Sequence, residues 1–279
     1  MREGALTRTA EPAKRYIVRP GERVRLNRTN PNDTSGFNGV KDTGRKELEK
    51  LTARLAELQE LLYAGHQHAV LIVLQGMDSA GKDGTIRRVF EGVNPQGVRV
   101  VSFKTPSVQE LDHDFLWRVH EQLPARGEMV LFNRSHYEDV LITRVHRLIS
   151  RAVWERRYRE ISEFERMLTE EGTTILKFFL HVGRGEQKRR LQERLDDPTK
   201  HWKFRETDVQ ERQRWNAYMK AYEEALTKTS TTWAPWYVVP SNKKWFRDLF
   251  VSERIVEALE GLRMRYPPLP PGLRGSTIG

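Results

Sequence analysis

The feature that most constrains the fold is a glycine-rich loop between an apolar run and a helical segment. Residues 69–75, AVLIVLQ, form a continuous apolar run rich in β-branched residues, which is typical of a buried parallel strand. The run leads directly into the loop GMDSAG, Lys82 follows, and DGTIRRVFEGV continues with a helical pattern. A loop in this position turns its backbone N–H groups inward and predicts a phosphate-binding loop rather than a simple tight turn. We expect the phosphate contacts to come from Gly76, Ser79, Ala80, Gly81, Lys82, Asp83 and Gly84.

The residue after the loop lysine departs from the usual pattern. Phosphate-binding loops normally continue with Ser or Thr, whose hydroxyl binds magnesium, but here the next residue is Asp83. Mg²⁺ and Mn²⁺ prefer oxygen ligands, commonly one or two carboxylates together with phosphate oxygens and water. Asp78 lies in the loop and Asp139 follows the third predicted strand, so we expect these two to bind the metal. Asp83 is either a third ligand or a first-turn helical residue, and the second interpretation is favoured because Asp is common there.

Four more apolar segments follow, and helical patterns separate nearly all of them. The segments are 98–103, 128–135, 174–182 and 236–241. Strands that alternate with helices predict an α/β fold, here a five-stranded parallel sheet covered by helices on both faces. A helix that begins near Asp42 carries one apolar stripe, which favours packing on the sheet over a coiled-coil dimer seam. The stripe consists of Leu48, Leu51, Leu55, Leu58 and Leu62.

Composition divides the chain into an arm, a domain and a tail. Residues 1–41 are polar and rich in turn formers, so we expect an arm on the core. We expect residues 42–266 to form the α/β domain and the Pro-rich residues 267–279 to form a loose tail.

Within the domain, the segment from Arg184 to Arg205 carries eight Lys or Arg against four Asp or Glu. Loops after the carboxyl ends of parallel strands surround the ligand. We therefore expect residues 183–207 to form a basic helical lid, although a solvated charged face is the usual alternative.

The overall charge indicates an anionic partner. The chain has 48 Lys and Arg against 38 Asp and Glu, a net charge of +10, which attracts polyanions of any kind. The sequence contains no cysteine, no secretory signal pattern and no apolar run approaching the length of a membrane span. We therefore expect a cytoplasmic protein without a membrane partner.

Several motifs, taken together and in order, resemble the polyphosphate kinase 2 family. They are GMDSAGKDGTIRRVFEGVNPQGVRVVSFKTPS, FNRSHYEDVLITRV, HWKF and APWYVVPSNKKWFRDL. The resemblance extends from about residue 16 to 266, and FNRSHYEDV is similar to the class III branch, which phosphorylates both AMP and ADP from polyphosphate. It implies a P-loop kinase fold of the thymidylate-kinase type, with a helical lid, and a homo-oligomer that is a dimer or a tetramer.

The resemblance also assigns roles to individual residues. By position, Asp78 and Lys82 match the loop aspartate and lysine, Arg134 matches the arginine after strand three, and Asp139 matches the second essential aspartate. We expect these four to be catalytic. The remaining assignments are Arg190 and Arg194 as lid arginines that bind phosphate, and Asn133, Arg134 and Glu138 as nucleotide contacts. Two residues depart from the general P-loop pattern: the resemblance makes Asn133 the normal residue of the class III branch and makes an aspartate after the loop lysine, here Asp83, usual in the family.

These expectations combine into one function and two alternatives. We expect Mg²⁺- or Mn²⁺-dependent transfer of the terminal phosphate of inorganic polyphosphate to ADP or AMP, which makes ATP or ADP. The alternatives are an ATP-dependent nucleotide kinase of the same fold and a polyanion- or RNA-binding protein with a relic loop. Because no RNA-binding motif with stacking aromatic residues is visible, we expect no nucleic-acid partner. His136 and Tyr137 either contact the nucleotide or only pack, and Trp202 either covers the base or anchors the lid.

Overall fold

A central parallel sheet organises the protein. The computed structural model describes residues 15–273 and contains the strands β1 (Ala69–Gln75), β2 (Val98–Val101), β3 (Met129–Asn133), β4 (Thr173–His181) and β5 (Trp236–Pro240). All pairs are parallel, in the order β2-β3-β1-β4-β5, which confirms the predicted five-stranded sheet. The central strand β1 is buried along its whole length, as its uninterrupted apolar run predicts. β2 ends two residues earlier than predicted and is an edge strand that pairs only with β3.

Helices cover both faces of the sheet. Within the described residues the α-helices are α1 (Lys41–Gly65), α2 (Lys82–Val89), α3 (Val108–Leu111), α4 (Trp117–His120), α5 (Glu138–Val145), α6 (Arg151–Glu170), α7 (Arg184–Asp196), α8 (Glu206–Gln213), α9 (Trp215–Thr229) and α10 (Lys244–Gly261). The connection from β1 to β2 crosses the sheet in one direction and that from β3 to β4 in the other. Because such crossovers are right-handed, α2 lies on one face and α5 and α6 lie on the opposite face.

The long helix α1 packs inside the molecule. It begins at Lys41, one residue before the predicted start, and all five leucines of its stripe are buried. The helix lies beside α10, which also contacts α2, so these three helices form one layer. The leucines belong to the same apolar core as the strands. They are therefore not available as a dimer seam.

The arm covers one edge of the sheet. The backbone N–H of Val18 donates to the carbonyl of Trp236 (2.8 Å), and that of Val238 donates to the carbonyl of Tyr16 (2.8 Å). The ring of Tyr16 packs edge-on against Phe250. Residues 1–14 of the arm and 274–279 of the tail lie outside the described residues.

The predicted lid region is helical. It contains α7, a 3₁₀ turn (Pro198–Lys203) and the start of α8. No helix in the described part of the chain has the length and apolar character needed to cross a membrane.

Candidate active site

The glycine loop joins β1 to α2 in a conformation that only glycine tolerates at its end. Gly81 is the N-cap of α2 and has φ 115°, in the left-handed region. A Cβ atom at this position would also lie 1.8 Å from Nη1 of Arg247, so a side chain here would be strained and would displace that buried guanidinium group. The amides at the end of the loop therefore meet the positive end of the α2 dipole, which is the arrangement that attracts phosphate.

Lys82 is buried against its own loop. Its Nζ donates to the carbonyl of Gly76 (2.7 Å) and more weakly to that of Met77 (3.4 Å). Burial, reinforced by the neighbouring charge of Arg134, lowers the pKa of Lys82 to about 8. Because little water competes for this ammonium group, it can bind a phosphate that enters the loop.

Two buried arginines fix the loop from its carbonyl side. Nη1 of Arg190 donates to the carbonyls of Ser79 (3.0 Å) and Ala80 (2.9 Å), and Nη1 of Arg247 also donates to Ala80 (3.3 Å). The other nitrogen atoms of Arg190 reach the carbonyls of Ser241 (2.6 Å) and Asn242 (3.1 Å) and the carboxylate of Glu186 (2.7 Å). All five N–H groups of Arg190 are thus engaged.

This geometry differs from the expectation that Arg190 and Arg194 bind one anion together. Arg190 connects the lid helix to the loop and has no donor left for phosphate in this conformation. Arg194 lies closer to solvent, 3.7 Å from Asp208, and its contact with phosphate stays a prediction. The difference arises because spacing of four residues places two side chains on one helix face without determining how deeply each is buried.

Asp78 and Arg134 meet at the mouth of the loop. Nη2 of Arg134 donates to Oδ1 of Asp78 (2.5 Å), and the amide of the lid residue Gln187 donates to the carbonyl of Asp78 (3.0 Å). Arg134 has φ 66°, an unusual conformation for a residue with a side chain. Such backbone conformations are common at functional sites and persist only where the surroundings fix them. Arg134, which the resemblance matches to the strand-three arginine, therefore lies at the loop, and its catalytic role stays a prediction.

Asp139 lies between two arginines that sequence reasoning missed. Its carboxylate accepts from Nη2 of Arg118 (3.3 Å) and from Nη1 of Arg157 (3.3 Å). Burial raises the pKa of Asp139, and the two guanidinium groups oppose that shift only in part. Arg118 and Arg157 come from α4 and α6, far apart in the chain and outside any recognisable motif, so only a known fold could have identified them.

The expected metal pair is not assembled by the protein alone. Asp78 is paired with Arg134, and Asp139 is paired with Arg118 and Arg157. Among the described residues, no group of three or more His, Asp or Glu side chains is placed to bind a metal. The set of donors still suits Mg²⁺, since that ion commonly binds one or two carboxylates and completes its shell with phosphate oxygens and water.

Three further polar residues, Asn133, Asp83 and Glu138, lie beside the glycine loop. The amide of Asn133 donates to the carboxylate of Asp83 (2.6 Å), and Asp83 lies in the first turn of α2, as favoured over a role as metal ligand. Glu138 begins α5 and accepts from the amide of Gln75 (3.1 Å). Asn133 and Glu138 therefore lie beside the loop, at the carboxyl ends of β3 and β1.

His136 and Tyr137 belong to a buried polar network rather than to the cleft. The hydroxyl of Tyr137 donates to Glu165 (2.8 Å), and His136 Nε2 lies 3.3 Å from the same oxygen. Lys177 in β4 donates to Glu165 (2.6 Å) and to the carbonyl of Thr229 (2.8 Å). The side chains of His136, Tyr137, Glu165 and Lys177 are fully buried, so packing is their observed role. Trp202 is 77% exposed and its ring contacts Lys203.

Comparisons with known proteins identify close relatives of the chain. The relatives found include an "AMP/ADP-polyphosphate phosphotransferase" of Meiothermus ruber, 59% identical over 254 residues that cover 91% of this chain and 95% of the relative. An "ADP-polyphosphate phosphotransferase" of Rhodopseudomonas palustris is 47% identical over 277 residues, 95% of this chain and 96% of that one.

A solved structure has the same fold. The crystal structure of polyphosphate kinase 2 from Arthrobacter aurescens superposes with a TM-score of 0.89 at 47% sequence identity and covers 92% of each chain. The model of the family "Polyphosphate kinase 2 (PPK2)" matches residues 39–267, from the end of the arm to the start of the tail. The chain therefore belongs to the polyphosphate kinase 2 family.

Proposed function

We propose that the protein transfers the terminal phosphate of inorganic polyphosphate to ADP and to AMP. The observation that carries the proposal is the glycine loop with its buried Lys82 in a chain of this family. The Meiothermus relative, whose name includes both AMP and ADP, supports the use of both acceptors. The net charge of +10 suits a polyanionic donor.

The sheet order supports binding of the donor and the acceptor on opposite sides of the loop. The loop follows the central strand β1; α7 and the start of α10 follow β4 and β5 on one side, and Asn133 to Asp139 follow β3 on the other. The donor phosphate binds the loop amides and Lys82, and the acceptor phosphate lies toward Asn133, Arg134 and Glu138. The two substrates thereby approach the same point from opposite halves of the site, as in-line transfer requires.

The transfer itself needs placement and charge neutralisation rather than covalent help from the protein. An oxygen of the nucleotide phosphate attacks the terminal phosphorus of polyphosphate, and the bond to the last bridging oxygen breaks, which leaves a chain shorter by one phosphate. The acceptor oxygen is already ionised at neutral pH, so no strong general base is required. Lys82 leaves the carbonyl of Gly76 to bind the donor, and Arg134 stabilises charge on the transferring group.

A divalent ion, Mg²⁺ or Mn²⁺, would be bound by Asp78 together with phosphate oxygens, and it supplies neutralisation of phosphate charge. Asp139 would act at the same centre by orienting Arg118 and Arg157 toward the acceptor phosphate. A cytoplasmic location and a dimeric or tetrameric assembly remain predictions from the sequence.

The experiment that tests the proposal is ATP formation from ADP and long-chain polyphosphate with no other nucleotide present. ATP should appear in proportion to enzyme, and AMP should yield ADP under the same conditions. An ATP-dependent kinase instead consumes ATP with AMP as acceptor and makes no ATP from polyphosphate. A binding protein with a relic loop turns over neither mixture.

A further inference from the structure

A buried ion pair lies beneath the turn that follows β3, and the proposed transfer does not use it. Nζ of Lys177 in β4 donates to the carboxylate of Glu165 in α6 (2.6 Å), and both side chains are completely buried. Lys177 donates its two other protons to the hydroxyl of Tyr137 (2.9 Å) and to the carbonyl of Thr229 (2.8 Å). Every proton of this ammonium group is therefore bound.

Tyr137 links the ion pair to the turn. Its hydroxyl accepts from Lys177 and donates to Glu165 (2.8 Å). Burial and the charge of Glu165 raise the pKa of Tyr137, so the hydroxyl keeps the proton that it donates. Its ring packs edge-on against Trp236 of β5, with 4.7 Å between the ring centroids. The side chain of Tyr137 is thus held by β4, β5 and α6 together.

The turn carries the residues that the proposed function assigns to the acceptor. Arg134, Glu138 and Asp139 all lie within three residues of Tyr137 in the chain. Tyr137 is the N-cap of α5, so its position determines where that helix begins and where Glu138 and Asp139 lie. Arg134, at φ 66°, needs its surroundings to keep it in an unusual backbone conformation. A shift of Tyr137 would therefore move the contacts to the acceptor phosphate.

The donor side has separate supports. The glycine loop is held at the carbonyl of Ala80 by Arg190 and Arg247, and neither arginine touches the ion pair. In contrast, Glu165 shares helix α6 with Arg157, the partner of Asp139, which lies about two turns earlier. The buried network is therefore connected to the acceptor side and not to the donor side.

A buried ion pair is a poor source of stability. Moving two charges out of water costs free energy, and replacing such a pair with apolar side chains of similar volume is often neutral or stabilising. Burial lowers the pKa of Lys177, so part of that cost remains in the folded protein. Hydrogen bonds, however, fix directions, and a fully satisfied buried network specifies one arrangement of the segments it joins.

We propose that Glu165 and Lys177 are positioning residues for the acceptor. Through Tyr137 they hold the turn of residues 134–139 in the conformation that binds the phosphate of ADP or AMP. Loss of the network then weakens acceptor binding and transfer, and it leaves binding of the donor intact. The inference rests on the proposed function, which places the acceptor phosphate at this turn.

The first test is Tyr137→Phe, which removes the hydroxyl and keeps the ring. Its KM for ADP should rise about 10-fold and kcat should fall by a similar factor, because a misplacement of about 1 Å can cost about 10²-fold. The KM for polyphosphate, measured with saturating ADP, should change less than about 2-fold, as for sites without shared partners. A purely structural role would instead alter both KM values alike.

Tyr16→Phe is the matched control. Tyr16 is also buried, and its hydroxyl donates to Asp33 (2.9 Å) and accepts from the backbone N–H of Gly36 (3.2 Å). Its ring packs against Phe250 of α10, on the opposite face of the sheet from the turn. The control loses hydrogen bonds of the same kind, and both KM values and kcat should stay within about 2-fold of normal.

A second variant separates positioning from stability. Glu165→Leu/Lys177→Met/Tyr137→Phe replaces the network with apolar side chains and leaves no charge buried without a partner. Its urea midpoint should stay close to that of the unaltered protein, whereas its KM for ADP should rise at least as much as in Tyr137→Phe. A normal KM for ADP in Tyr137→Phe, or an equal rise for both substrates, overturns the positioning role.

Calorimetric titration with ADP keeps this test independent of the reaction. The Kd for ADP should rise about 10-fold in Tyr137→Phe and stay unchanged in Tyr16→Phe, by the same reasoning as for KM. An unchanged Kd in Tyr137→Phe contradicts the inference. Failure of the unaltered protein to make ATP from polyphosphate, with weakened ADP binding in Tyr137→Phe, refutes the proposed donor and leaves the positioning role standing.

Discussion

Replacing Lys82 with Met should abolish activity and stabilise the fold at neutral pH. The pKa of this lysine is lowered from 10.5 to about 8 by burial and by Arg134, so the folded protein binds the proton less tightly than the unfolded chain. Stability therefore rises with pH between about 8 and 10.5, and below pH 8 the full cost of the buried charge is present. That interval corresponds to about 3 kcal/mol at about 1.4 kcal/mol for each pH unit.

Part of this gain is offset by a lost contact. The variant no longer donates to the carbonyl of Gly76, and a hydrogen bond of this kind contributes about 1 kcal/mol. We expect Lys82→Met to increase the free energy of unfolding by about 2 kcal/mol at pH 7 and to lower kcat by about 10²–10³. Urea unfolding of both proteins at pH 7 and near pH 10 measures the difference. A difference in unfolding free energy that is independent of pH, or a variant less stable than the unaltered protein at pH 7, contradicts a destabilising buried charge at Lys82.

Four further outcomes are expected. The value of kcat/KM for polyphosphate should fall as pH rises above about 8, because free Lys82 then loses its proton, and a flat profile up to pH 10.5 would exclude that role. Asp139→Asn should lower kcat by about 10²–10³ and raise the KM for ADP more than that for polyphosphate, since Arg118 and Arg157 lose their partner; turnover above half of normal removes Asp139 from the mechanism. Excess EDTA should abolish activity and added Mg²⁺ or Mn²⁺ should restore it, whereas full activity in EDTA refutes metal dependence. Arg190→Met should speed amide exchange in the loop and lower kcat, and unchanged exchange would show that the arginine does not fix the loop.

Local patterns were sufficient to predict the centre of the fold. The apolar run before Gly76 fills a central strand, the glycines permit the loop, and the helix after Lys82 begins where the pattern changes. These features depend on neighbours in the chain, which is why periodicity and glycine positions identify them. The leucine stripe of α1 predicted burial but not its partner, α10, because a stripe specifies a face and not what packs on it.

The contacts between distant segments could not be predicted from the same patterns. Asp78 and Asp139 are each paired with arginine in the structure, and a metal shared by the two stays a prediction. Arg118 and Arg157 come from helices without a motif. Arg190 was expected at the donor phosphate, but the fold places its guanidinium group among four backbone carbonyls. Residue type and spacing indicate which chemistry is available. The burial of each side chain and its hydrogen-bond partners depend on the tertiary arrangement.

The most direct measurement of the central claim is transfer of label from polyphosphate to nucleotide. Polyphosphate labelled with ³²P is incubated with unlabelled ADP and Mg²⁺, and the products are separated with Lys82→Met as the blank. We expect the label in the γ-phosphate of ATP, at a rate equal to the shortening of the chain and without release of free phosphate. Label that appears only as inorganic phosphate, or ATP that remains unlabelled, contradicts direct transfer from polyphosphate to the nucleotide.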